Sequence, residues 1–73
     1  MSDILVWLER FAAEIDQPAP DRAQIDQILE LAGVAAHASA RQAAPVVCWM
    51  AGVAGLDLAD AIRIAERMAG ETS

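Results

Sequence analysis

Between Arg41 and Asp57 the chain carries no charge. Within that stretch Pro45-Val46-Val47-Cys48-Trp49-Met50-Ala51-Gly52-Val53-Ala54 reads as one helix. Pro45 suits the first helical position, where its missing N–H leaves no bond unmade. Gly55 is placed to end the helix in the left-handed conformation, with apolar Leu56 just beyond. A helix that is apolar all round is usually buried all round. This one therefore needs cover on every side, from its own chain or from another. The uncharged run, residues 42–56, is too short to span a bilayer.

The rest of the chain supplies three further helices. Residues 3–15 form the first, with Ser2 as N-cap and Asp3 at the positive end of the dipole. Ile4, Leu8, Phe11 and Ile15 recur at helical spacing and predict a core stripe, with Trp7 on its flank. Pro18 and Pro20, two apart, break the chain over residues 16–21. A second helix spans about 22–38. Asp21 is its expected N-cap, with Gln24 as capping-box partner. Its buried stripe is Ile25, Ile28, Leu29, Ala32, Ala35 and Ala36, and Gly33 implies a close helix approach. After the helix at 45–54, Asp57 caps a fourth over 58–69, ended by Gly70. Leu58, Ile62, Ala65 and Met68 or Ala69 face inward. Arg63 and Arg67 are placed for weak surface pairs with Asp60 and Glu66. No segment alternates in the manner of a strand. The expected fold is all-α: one compact four-helix domain, residues 1–73, with the uncharged third helix at its centre.

Seventy-three residues bury only about 60% of the surface an unfolded chain exposes, so such a domain is marginal. Small domains commonly add a disulfide, a metal or a partner chain. Cys48 is the only cysteine and His37 the only histidine, which excludes an internal disulfide and a zinc-type cluster. Regular helix packing and oligomerisation remain, and a homodimer is expected. One side of the third helix, with Trp49 or Met50, would then meet the second chain. Gly52, beside Ala51 and Gly55, would permit close backbone contact there.

The net charge is −6, and the five basic residues are scattered arginines. No basic face tracks phosphates, so neither nucleic acid nor an anionic membrane is expected as partner. The opening Met1-Ser2-Asp3 has no basic run, so no signal peptide is expected. With a lone thiol, this indicates the cytoplasm.

No catalytic constellation stands out, and no cofactor or metal is expected; the chain reads as a non-enzymatic interaction or accessory module. His37 and Arg41 sit one turn apart. Either they grip an anionic group, for which Arg offers a bidentate fork, or they serve the carbonyls and dipole of a helix end. Cys48 lies in the first turn of the third helix, where a thiol can be activated; between Val47 and Trp49 it reads instead as a packed core cysteine. Asp26, Glu30 and His37 share a face but spread over three turns, too far for one ion.

Leu29-Glu30-Leu31-Ala32, Ala36-His37, Arg41, Ala43-Ala44-Pro45 and Gly52 together resemble a family of short uncharacterised actinobacterial helical domains. Its members read Leu-Asp-Leu-Ala, Ala-His, an Arg four residues after the His, then Pro-Ala-Ala-Pro. Trp7-Leu8 and the alanine-rich last helix also fit. The resemblance covers nearly the whole chain, and its specific part is the segment 37–45. Such domains occur alone or fused behind the guanylyltransferase that completes the molybdenum cofactor. The resemblance implies an accessory role beside that enzyme, as its partner. Gln42 stands where members often have Pro, and Val47-Cys48 where a Thr pair is usual. Any ligand held by those threonines would be lost here.

Overall fold

The computed structural model describes residues 4–71 as four α-helices: α1 (Ile4–Glu14), α2 (Arg22–Ala38), α3 (Ala43–Ala54) and α4 (Leu58–Glu71). The all-α four-helix domain is as the sequence predicts. Ser2 and Asp3, the expected cap and dipole partner of α1, lie outside the described residues.

The helix ends follow local chemistry closely. Asp21 caps α2 with a complete capping box. The Gln24 N–H donates to Asp21 Oδ1 at 2.8 Å, and the Asp21 N–H donates to Gln24 Oε1 at 2.9 Å. Gly55 ends α3 at φ +69°. The Leu56 N–H reaches the Ala51 carbonyl at 3.1 Å and the Gly55 N–H the Gly52 carbonyl at 3.1 Å, the paired bonds of a Schellman end. Asp16 does the same for α1 at φ +57°, with Gln17 bonding back to Ala12 and Asp16 to Ala13. An aspartate tolerates this conformation better than most residues. The Asp57 side chain accepts from the Ala59 N–H at 3.2 Å and opens α4.

Two boundaries differ from expectation. Helix α3 begins at Ala43, so Pro45 is its third residue. The first four N–H groups of a helix have no intrahelical acceptor, so proline is still harmless there. Helix α4 runs through Gly70 to Glu71. There the Arg67 guanidinium pairs with the Glu71 carboxylate at 3.2 Å, in place of the expected Glu66.

The centre of the fold is α2, not α3. Helix α2 packs against both α3 and α4, while α3 and α4 make no comparable contact with each other. Leu31 of α2 is fully buried, against Ala51 of α3 and Ala61 and Ile62 of α4. Val47, Cys48 and Ala65 close around this core. Helix α2 can be central because its apolar residues cover more than half its circumference at 100° per residue, from Val34 through Leu31 and Ile28 to Leu29. The expected stripe omitted Leu31 and included Leu29, which is exposed. No close approach occurs at Gly33 or Gly52; a Cβ on either would meet nothing within 4 Å.

Helix α1 is the second departure. It forms no contact of comparable extent with any other helix. Ala12 is its one buried residue and Leu8 is half-buried, while Phe11 and Ile15 of the expected core stripe stand 51% exposed. The radius of gyration is 13.2 Å, against about 11 Å for a typical domain of this length. The long axis reaches 40 Å.

Candidate interaction site

Because α3 and α4 both lean on α2 and hardly meet, a cleft opens between them. Ala35 and Ala38 of α2 contribute to its lining, with Val47 and Met50 on the α3 side and Ile64 and Met68 on the α4 side. Its volume is about 370 Å³, within the range of small-ligand pockets, ~300–1,000 Å³. Leu56, held by the Schellman turn, adds to the α3 side. Ser39 is the single polar side chain in the lining, and no titratable group is among the lining residues.

Helix α3 therefore has three different sides. Ala51 and Cys48 face α2; the Cys48 thiol donates to the Ile28 carbonyl at 3.8 Å, and burial pushes its pKa up. This environment is that of a packed thiol, since activation needs the opposite shift. Met50, Val47 and Ala54 line the cleft. Val46, Trp49 and Val53 form an outward ridge at i, i+3 and i+7, and Trp49 is 69% exposed. The expected burial of α3 on all sides is thus not met by this chain. Trp49 and Met50, the alternatives expected at the surface, are both exposed and lie on different sides.

A second apolar ridge runs along α1. The rings of Trp7 and Phe11 stack at 5.7 Å between centroids, 10° from parallel. Arg10 and Glu14 flank them. Periodicity assigns Phe11 to a core stripe, with Trp7 on its flank, because stripe spacing is the same for a buried face and for an interface. Met68 is read as inward for the same reason, and Ile64 falls outside the expected inward stripe of the fourth helix.

His37 lies in the last turn of α2 and Arg41 in the turn before α3, both exposed. Among the described residues neither side chain has an ion pair or hydrogen bond, and neither lines the cleft. Asp26 pairs with Arg22 at 3.7 Å on the exposed side of α2. Among the described residues no group of three or more His, Cys, Asp or Glu is placed to hold a metal ion. No helix among them is long and apolar enough to cross a membrane.

Comparison with curated proteins and with solved structures gives no match. One family model, of an uncharacterised domain, spans the chain over residues 1–73. The chain belongs to the family described as Domain of unknown function (DUF6457).

Proposed function

We propose that this domain is a non-enzymatic interaction module that works as a homodimer, its binding surface centred on α3 and the cleft beside it. The observation that carries the reading is the amount of apolar surface left open. Trp7, Phe11, Leu29, Val46, Trp49, Met50, Val53 and Met68 each stand more than half exposed. Soluble monomers rarely expose contiguous apolar patches beyond a few hundred Å². A cleft whose lining has no titratable group to act as acid or base, and only Ser39 as a polar side chain, suits binding rather than catalysis. Sedimentation equilibrium of the full chain tests the reading. A dimer in the micromolar range is expected, and a monomer at high micromolar concentration overturns it.

The resemblance to actinobacterial domains fused to a guanylyltransferase gives the module a setting: an accessory of molybdenum cofactor guanylylation in the cytoplasm. Co-purification with that enzyme is the corresponding test, and no association at micromolar concentrations counts against it. A second reading rests on His37 and Arg41. Both are exposed and without an ion-pair partner among the described residues, so an anionic group can reach them. Calorimetric titration with molybdopterin or guanine nucleotides, repeated on Arg41→Ala, tests it; no heat with either ligand removes it.

A further inference from the structure

From the shape and chemistry of the two uncovered features we infer that the Trp7–Phe11 ridge of one copy seats in the α3–α4 cleft of a second copy, reciprocally. This rests on the dimer reading and names the surfaces that meet.

The arm and the cleft match in chemistry. The ridge is two stacked aromatic rings, and the cleft has a methionine on each side, Met50 and Met68. Thioethers adapt to irregular shapes and make favourable contacts with aromatic rings. The cleft lining has no charge, so it penalises no apolar ridge. The charges beside both features are mixed in sign: Arg10 and Glu14 flank the rings, and α4 carries Asp60, Arg63, Glu66, Arg67 and Glu71.

The rings do not fill their own chain's cleft, whose lining includes no residue of α1. Within α1, Ala12 and Leu8 are the more buried positions, and Phe11 and Trp7 lie about 100–140° around the helix from Ala12, exposed.

The area is also sufficient. Trp7, Phe11 and Ile15 are 51–60% exposed, and Met50, Leu56, Ile64 and Met68 are 40–58% exposed. At about 200 Å² per large side chain, arm and cleft together offer roughly 700 Å² per copy, close to the ~800 Å² of a standard interface. A two-fold axis uses each arm and each cleft once, so the interface closes at two copies.

Sedimentation equilibrium on the full chain, with circular dichroism confirming the fold of every variant, provides the test. Phe11→Glu and Met68→Glu replace exposed side chains and are each expected to weaken dimerisation at least tenfold. The truncations Phe11→Ala and Met68→Ala, combined, should weaken it by less than the sum of their separate effects, because they remove the same contact. In a Cys48→Ala background, Phe11→Cys with Met68→Cys should oxidise to a species of twice the chain mass. Cross-linking at the mass of one chain overturns the inference. So does a dimer that withstands both glutamates but falls apart with Trp49→Glu; that result leaves the interaction-module reading standing, with the outer α3 ridge as its surface. A wild-type monomer at high micromolar concentration overturns both.

Discussion

Leu31→Ala probes the claim that α2 is the centre of the fold. Among the described residues Leu31 is the one large side chain with no exposure, and it packs with the core contributions of both α3 and α4. Truncation removes about three methylene equivalents, ~2.4 kcal/mol at ~0.8 each. A cavity term adds to this, because Ala51 and Ala61 have no side chain long enough to fill the space. The expected cost is about 3–4 kcal/mol, inside the ~2–5 kcal/mol range for leucine truncation. The whole domain has on the order of 4–11 kcal/mol at this length, so the variant loses a large share of its stability. Urea denaturation followed by circular dichroism is the appropriate assay, since both tryptophans are exposed and report packing poorly. Melting should drop by roughly 12–32 °C, at ~4–8 °C per kcal/mol for a domain of this size. A loss under about 1 kcal/mol would refute the assignment of α2 as the centre and restore α3.

Trp49→Ala should cost under about 1 kcal/mol at concentrations where the chain is monomeric, because the ring is 69% exposed; a buried tryptophan would cost ~3–5 kcal/mol, and thermal melts of dilute protein separate the two. Gly33→Ala should stabilise the domain by about 0.5–1 kcal/mol, since a helical glycine gives way to alanine with nothing within 4 Å of the new methyl; destabilisation in urea titration would contradict this. Cys48 holds its proton to higher pH when folded than when unfolded. Above the unfolded thiol pKa the unfolded chain therefore binds fewer protons, and stability falls as pH rises toward the folded value. Cys48→Ala should reduce that alkaline loss, and an unchanged pH–stability slope would refute it.

What sequence could show divides along the line between local and long-range interactions. The Asp21–Gln24 box, the Gly55 terminus and the Asp57 cap involve neighbours within a few residues, so each was legible and each is present. Pairing of helices was not legible in the same way. A stripe such as Ile4, Leu8, Phe11 and Ile15 has the same spacing whether it faces the core or a partner. Alanine blurs the matter further, because it fits a helix equally well inside and outside. The sign that α2 is central was available in Leu31 and Val34, which widen its apolar arc beyond one stripe. The lack of charge in α3 points instead to centrality when only the sequence is read. In the structure it marks a helix with one side on the core, one on the cleft and one on solvent. Of the candidate site, Met50 and Trp49 were found from that missing charge. Ile64, Met68 and the α1 rings were not, because their role depends on what α3 and α4 leave open between them.

The Trp7–Phe11 ridge of a second copy is proposed to cover the cleft that α3 and α4 leave open. Sedimentation equilibrium of the wild-type chain beside Phe11→Glu tests it most directly. The account predicts that the wild type sediments at twice its 7.7 kDa, while the variant, equally helical, sediments at 7.7 kDa at the same micromolar concentration. Equal masses for the two proteins, whether both single or both double, would contradict it.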